Sequence, residues 1–263
     1  MAAPLLTVVT PCLNAASTIG EALESVRAQG LGDVVEHVVV DGGSTDGTVE
    51  LLASAPGVRF ISEPDRGLSD AMNKGVAMAR GEYIGWLNAD DFYLPGALPP
   101  VVEALRSGPL WLTAPCLIVD GSGREIRRGV TRYKRFFLRH YGRRSLLVQN
   151  YVAAPSTFMR RDAVQEAGGF DERFRYSMDY DLWLRLAERA DPLVLDEPVT
   201  AFRMAGESLS MTGFERQFEE HAQNAREHGS GEPLAVAANV AVSRAIVLAY
   251  RAMRLVRSAS RQK

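Results

Sequence analysis

The sequence predicts an α/β fold, a twisted and mostly parallel sheet flanked by helices, with a helical C-terminal appendage. Three observations carry that prediction. Short apolar, β-rich runs alternate with helix-length segments from Leu5 to Leu87. Turn-forming or acidic residues stand directly after each run, where doubly wound sheets gather their ligand-binding loops. Of 263 residues, 46% are hydrophobic and 24% charged, an ordinary globular composition with ample apolar surface for one large domain and an appendage.

Taken in order, Leu5 to Thr10 reads as the first strand, followed by Pro11. Asn14 and Ser17 can cap a helix carrying Ile19, Leu23 and Val26 until Gly30 stops it. Val34 to Val40 is a buried strand and Asp41-Gly42-Gly43-Ser44 its turn. A helix through Val49 and Leu52 and a strand at Val58 to Ile61 follow. A helix from about Leu68 to Ala79 leads into the strand Tyr83 to Leu87. After Trp111 to Pro115 the rhythm changes. Cys116 to Asp120, the turn Gly121-Ser122-Gly123 and Glu125 to Val130 read as a hairpin, followed by a basic, aromatic stretch to Arg144. Pro155 to Arg160 returns to strand character, Asp181 to Arg189 is helical, and the chain is helical from Phe214 onward.

The formal net charge of −2 conceals an asymmetry. Between Arg124 and Arg144 nine basic residues face the single acid Glu125, and the last twenty residues carry six more with no acid. Two basic elements therefore sit on an acidic body. The first is interleaved with Tyr133, Phe136, Phe137 and Tyr141, a mixture suited to anionic lipid headgroups, a polyprenyl-diphosphate acceptor or nucleic acid, and equally to a solvated loop. Nucleic acid fits least, because the body is acidic. In the second, Leu248, Ala249, Ala252, Met253, Leu255 and Val256 share one side of a helix and Arg251, Arg254, Arg257 and Arg261 the other. Such a helix suits packing on the sheet, on a second subunit in an oligomer, or on a membrane surface.

Cys12 and Cys116 are too few for a disulfide framework, and no basic-apolar-small signal opens the chain at Met1, which points to a reducing cytoplasm. Leu234 to Tyr250 comes nearest to a membrane span and is interrupted by Arg244.

Chemistry concentrates after the strands. Asn88-Ala89-Asp90-Asp91 places acids at the end of an apolar strand, where a hard divalent cation, Mg²⁺ or Mn²⁺, would relieve their repulsion and leave positions for substrate phosphates. On their own two adjacent acids read equally as a solvated, helix-capping turn. Asp41 stands on a tight glycine turn where a base or ribose could approach. Downstream, Ser177-Met178-Asp179-Tyr180-Asp181-Leu182-Trp183 sets two acids two residues apart at a helix start.

In combination the chain resembles a family-2 glycosyltransferase with the GT-A nucleotide-sugar fold. The residues that carry the resemblance are Val8 to Asn14, Val40-Asp41-Gly42-Gly43-Ser44 to Thr48, Gly67 to Gly75, Gly81 to Ile84 with Leu87 to Asp91, and Met178 to Trp183, in family order over roughly residues 5 to 210. The resemblance implies a GT-A domain over 1–210, its nucleotide-sugar half at about 1–115 and its acceptor half at about 116–210 with the basic segment 124–144. The helices of 211–263 follow it.

It further implies that Thr10, Pro11, Asn14 and Asp41 hold the nucleotide, commonly uridine diphosphate, that Arg66 and Asp70 line the donor pocket, and that Asn88 stands at the ribose. Asp90, helped by Asp91, would reach a divalent cation, and Asp179 would be the catalytic base of an inverting transfer to a glycan or lipid-linked hydroxyl. Membrane contact would be peripheral, on the inner face of the cell membrane.

Three positions depart from the family pattern: Asn88 replaces the first acid of Asp-x-Asp, Met178 the acid that often precedes the base, and Ala205 a histidine found in many relatives. These departures motivate an alternative, a catalytically weak scaffold acting as a binding partner in a glycan-assembly complex. Gln-x-x-Arg-Trp, the mark of processive synthases, is absent, so single-sugar addition is expected. No Gly-x-Gly-x-x-Gly follows the first strand, which argues against a dinucleotide oxidoreductase.

Overall fold

The structure, a computed structural model, describes residues 3–204 and 213–260, with side chains through Arg251. The alternating pattern folds into strands β1 (Leu6–Cys12), β2 (Val35–Asp41), β3 (Val58–Ser62) and β4 (Tyr83–Trp86), linked by helices α1 (Ile19–Arg27), α2 (Thr48–Ser54) and α3 (Leu68–Met78). Strand β5 (Phe92–Tyr93), helix α4 (Leu98–Leu105) and strands β6 (Trp111–Thr113) and β7 (Cys116–Val119) follow. Next come α5 (Arg128–Arg139), α6 (Arg143–Val148), a short 3₁₀ turn, β8 (Thr157–Arg160), α7 (Arg161–Glu166), α8 (Met178–Ala187), β9 (Leu193–Val194) and β10 (Thr200–Arg203). Helices α9 (Phe214–His228) and α10 (Pro233–Ser260) form the appendage.

Seven strands form the main sheet in the order β3-β2-β1-β4-β8-β6-β9, and β5-β10-β7 form a small one. The first four strands are mutually parallel and β8 runs antiparallel to both its neighbours. Their buried apolar residues face two layers. On one side Val9, Met72, Ile84 and Met159 meet the apolar side of α8, where Trp183 stacks on Trp111 with ring centroids 5.9 Å apart. On the other, Leu6, Val8, Val101 and Phe158 close over α4.

The fold class is as the sequence predicts, with local differences. Strand β1 continues through Pro11 to Cys12. The β1–β4 register ends at Val9↔Trp86, so the missing N–H of Pro11 costs no ladder bond on that side. The hairpin after Cys116 is reduced to one antiparallel bridge, Val119↔Glu125. Arg127 takes a φ of 54°, which ends the extended run, and α5 begins at the next residue. Its burial of Leu138 outweighs the local alternation that reads as a strand. Helix α1 starts at Ile19 after Thr18 with no side-chain cap, because Asn14 is engaged elsewhere.

The acidic body and the basic segment match each other. Arg135 pairs with Glu197, Arg139 with Asp196, Arg143 with Glu188 and Arg144 with Glu232. Much of the basic run is thus neutralised within the fold. Helix α10 packs along α6, where buried Asn239 donates to the carbonyls of Leu147 and Val148. Despite Arg244, its Pro233–Arg251 stretch is long and apolar enough to cross a membrane by length and composition, with mean hydropathy 1.6 and 17% burial. The amphipathic pattern expected at Ala252, Met253, Leu255, Val256, Arg254, Arg257 and Arg261 lies outside the described side chains, as Ala205 lies outside the described residues.

Candidate active site

Three parallel strand ends, β1, β2 and β4, bring the first group of candidate residues to one edge of the sheet. Asp41 is fully buried as the last residue of β2. Its carboxylate accepts from the backbone N–H groups of Gly43 (3.1 Å) and Ser44 (2.9 Å) and from the hydroxyls of Ser44 and Ser62, which hold it below the usual carboxylate range against the opposing effect of burial. Asp41 therefore shapes the turn. Gly42 lets Asp65 approach the turn: a β-carbon at this position would lie 2.5 Å from Asp65 Oδ2 and push that carboxylate aside.

Asn14 sits opposite, in the left-handed region at φ 50°. Its N–H donates to Ser44 Oγ at 2.7 Å and its Oδ1 accepts from Thr45 N–H at 3.0 Å, which laces the β1 and β2 loops together. The Thr10 hydroxyl points into the sheet against His37 Nε2 (2.9 Å), whose neutral form burial favours by moving it down to about 4. Pro11 is buried as well. The sequence reading gave Thr10, Pro11, Asn14 and Asp41 contacts with the donor; the structure gives their side chains the task of building the loops it would touch.

At the start of α3, the Arg66 guanidinium pairs with Asp70 at 2.9 Å and with Glu172 at 2.8 Å, and Lys74 approaches Asp70 at 3.4 Å. Hydrogen bonding from Arg66 holds the Asp70 carboxyl down at about 2. Arg66 is largely exposed and Asp70 buried, so the guanidinium stands at the surface on a fixed stem, held between two carboxylates.

The strand end after β4 divides its two acids. Asp91 is buried, accepting from Asn88 Nδ2 at 2.7 Å and from Arg203 N–H at 2.9 Å, and burial beside Asp90 raises it well above the usual range. Each of its oxygens accepts one hydrogen bond within the fold, which ties Asp91 to its own turn and to β10. Asn88 is held in turn, its Oδ1 accepting from Trp86 Nε1 at 2.7 Å. Asp90 is half-buried, and burial raises its carboxyl too, with Arg203 the nearby cation that offsets it.

Arg203, on β10, was missed as a site residue. Its buried guanidinium donates to the backbone oxygens of Asp90 (3.0 Å) and Gly121 (2.7 Å) and to Glu21, and lies 5.3 Å from the Phe92 ring. It fixes the acidic turn from behind. No signal near residue 90 announces it.

Asp179 occupies the first turn of α8. Its Oδ1 accepts from Tyr180 N–H at 2.7 Å and its Oδ2 receives only a long contact, 3.5 Å, from Asn150 Nδ2. Burial pushes its carboxyl up to about 6, opposed by the charge of Lys134. Lys134 sits on α5 with no hydrogen bond or ion pair among the described residues, and burial lowers its ammonium. Its charge is felt at both Asp179 and Cys116, and the charge of Asp91 acts on the same thiol. Asp181, two residues on, is buried and bonded to Arg185 and to His228 Nε2 (2.8 Å).

A hard cation would find one available carboxylate here. No group of three or more His, Cys, Asp or Glu side chains among the described residues could hold a metal. Asp90, whose carboxylate forms no ion pair among the described residues and whose burial disfavours its charge more than Arg203 offsets, fits a cation whose remaining ligands would come from water and a diphosphate. Both cysteines are free and pushed up by burial, Cys12 to about 12 and Cys116 to about 11, which leaves them inert packing groups.

Comparison with known proteins gives three findings. Residues 7–168 match the family model "Glycosyl transferase family 2". An uncharacterised glycosyltransferase of Mycobacterium tuberculosis is 34% identical over 203 residues, 73% of this chain and 72% of the relative. Chondroitin synthase of Escherichia coli is 30% identical over 227 residues, 83% of this chain but 32% of that protein, so the chain spans about a third of it. Among solved structures, the mannosyltransferase PcManGT of Pyrobaculum calidifontis, in complex with GDP-Man and Mn²⁺, superposes with a TM-score of 0.65 at 20% identity, covering 98% of this chain and 80% of that one. TarS 1-349 of S. aureus, in complex with UDP-GlcNAc, gives 0.64 at 18% identity over 83% of this chain and 66% of the other. At these identities the two structures establish the shared GT-A fold.

Proposed function

We infer, from the premise that this chain belongs to glycosyl transferase family 2, that it moves one sugar from a nucleotide-diphosphate donor, a UDP-sugar, to an acceptor hydroxyl with inversion at the anomeric carbon. The single observation that carries the reading is the state of Asp179: a carboxylate on a helix start, raised to about 6, with one oxygen nearly free. Such a group is poised to take a proton near neutral pH.

In the forward step Asp179 accepts the proton of the acceptor hydroxyl as that oxygen forms its bond to the anomeric carbon, while the bond to the donor diphosphate breaks on the opposite face. The Tyr180 N–H holds the other oxygen of Asp179, and the charge of Lys134 opposes the effect of burial on its carboxyl. Arg66 offers its guanidinium to the donor. Asp90 would hold Mg²⁺ or Mn²⁺, which supplies Lewis-acid stabilisation to the departing diphosphate when bound. The relatives support the class: PcManGT is described with GDP-Man and Mn²⁺, and TarS with UDP-GlcNAc.

The acceptor is a lipid-linked or cell-surface glycan precursor, and the chain meets the inner face of the membrane peripherally. What supports this is the exposed side of α10, where Leu234 and Leu248 flank Arg244. Asp90 and Asp179 both remain in place, which favours an active transferase over an inactive scaffold. Calorimetric titration of UDP tests the donor site: affinity is expected to fall in EDTA and in Asp90→Ala with Mn²⁺ present, and undiminished affinity in both would remove the metal from this account.

A further inference from the structure

Helix α8 carries the base but does not cap itself. Ser177, at its N-cap, makes no side-chain hydrogen bond to the first turn. The chain leading into it, Arg175-Tyr176-Ser177, runs with three successive backbone N–H groups pointing away from the helix. All three converge on one carboxylate from another element. Glu220, on α9, is 6% exposed. Its Oε2 accepts from Tyr176 N–H at 2.7 Å, Ser177 N–H at 3.1 Å and Ser177 Oγ at 3.3 Å, and its Oε1 from Arg175 N–H at 3.2 Å.

The same face of α9 adds two more ties. One turn on, fully buried Asn224 donates from Nδ2 to Ser177 Oγ (2.9 Å) and to the Ser177 carbonyl (3.2 Å). Another turn on, His228 Nε2 meets Asp181 Oδ1 at 2.8 Å. The entry to α9 packs on the same segment: a β-carbon on Gly213 would lie 2.0 Å from the Tyr176 ring, so a larger residue there would displace that side chain. Surface decoration does not bury a carboxylate on three amides. An ionised group withdrawn from water needs such donors, and the donors, once buried, need it.

We propose that Glu220 is a positioning residue for the transfer reaction, fixing the 175–177 segment so that Asp179 meets the acceptor hydroxyl at a set distance and angle, and that α9 is therefore part of the catalytic apparatus. This rests on the assignment of Asp179 as the base. Glu220 bonds the 175–177 segment and pairs with Arg216 at 3.4 Å rather than bonding Asp179 itself, and it lies beyond residues 7–168, the part of the chain the family model matches.

The physical consequence is specific. In Glu220→Gln one carboxylate oxygen becomes an NH₂ group, which cannot accept from a backbone N–H and opposes it instead. The 175–177 segment then loses its anchor, and Asp179 shifts toward water, where a carboxylate returns to its ordinary titration range. A displacement of about 1 Å at a reacting group is enough to lower turnover by about 10²-fold without changing donor binding.

The test uses the full chain and two readouts that need no substrate. Amide hydrogen exchange is followed at residues 175–181, and the Asp179 carboxyl is titrated by ¹³C NMR, its signal assigned by its absence in Asp179→Asn. Glu220→Gln is expected to speed exchange at least tenfold in that segment alone, to move the Asp179 midpoint below the wild-type value near 6, and to leave UDP affinity unchanged. Glu220→Asp, which keeps the charge with a shorter reach, should fall between the two and serves if the glutamine variant does not fold. Unchanged exchange and an unmoved midpoint in a folded variant would overturn the proposal. So would faster exchange with wild-type turnover in a nucleotide-release assay. Should Asp179→Asn itself turn over normally, the base assignment fails, while exchange and titration still decide whether Glu220 holds the segment.

Discussion

The strand end at Asp90-Asp91 and the helix start at Asp179 to Asp181 solve the same problem in the same way. Each offers two carboxylates close together at the edge of the cleft. In each, one acid is buried and fully occupied: Asp91 by Asn88 and Arg203, Asp181 by Arg185 and His228. In each, the other is half-buried and keeps an oxygen without a short hydrogen bond among the described residues; in the proposed reaction Asp90 would serve the donor diphosphate and Asp179 the acceptor. The difference lies in the neighbouring charge. Arg203 is hydrogen-bonded to the Asp90 backbone and its charge also offsets the burial of that carboxyl, whereas Lys134 acts on Asp179 by charge and makes no ion pair among the described residues. Structure and chemistry are thus divided between neighbouring residues of identical type, and what divides them is which lone pairs the fold has already used.

Breaking that comparison should give unequal effects. The largest is expected at Asp179. Asp179→Asn keeps the volume and one acceptor but cannot take the proton, so turnover should fall by about 10² to 10⁴ with donor affinity unchanged. Asp181→Asn should instead lower the melting temperature, because it strips Arg185 and His228 of their buried partner, and turnover of the folded fraction should stay near wild type.

Next is Arg203→Met, which leaves the carbonyls of Asp90 and Gly121 without donors and should cost about 2–3 kcal/mol of stability in chemical denaturation. Asp90→Asn comes third. Mn²⁺-dependent UDP affinity should drop about tenfold, or roughly 1.4 kcal/mol, whereas Asp91→Asn should act through stability. The smallest effect is expected from removing the residues after Arg244: a few-fold weaker co-sedimentation with anionic vesicles and intact UDP binding. Equal sedimentation of the truncated and full chains would make α10 a packing element alone.

What was legible in the sequence follows a physical rule. The sheet was legible because its signals are local: apolar period, strand length, and the glycine turn after Asp41. The Asp181–Arg185 pair was legible too, since four residues on a helix share a face. The second partner of Asp181 was not, for His228 lies 47 residues away on an element with no recognisable motif.

Arg203 and Glu220 were missed for the same reason: a charged residue that serves backbone groups leaves no mark on its own neighbourhood. The ion pairing of the basic segment was hidden in a related way. Its charge count is visible in one stretch, but the acids that pair with Arg143 and Arg144 sit 45 and 88 residues downstream. The strand expected at Glu125 to Val130 failed because the helix there is decided by where Leu138 is buried, which local alternation does not report.

The central claim is that Asp179, raised by burial, is the general base. Its sign is fixed: a base works deprotonated, so a raised value means turnover that grows as pH rises through about 6 and is lost below it. The direct measurement is turnover against pH at saturating donor and acceptor, for the wild-type chain and for Asp179→Asn. The account predicts an acid limb with a midpoint near 6 in the wild type and its disappearance in the variant, whose residual rate stays flat across that range. An acid limb at the same pH in the folded Asp179→Asn protein would contradict it and assign the proton to another group.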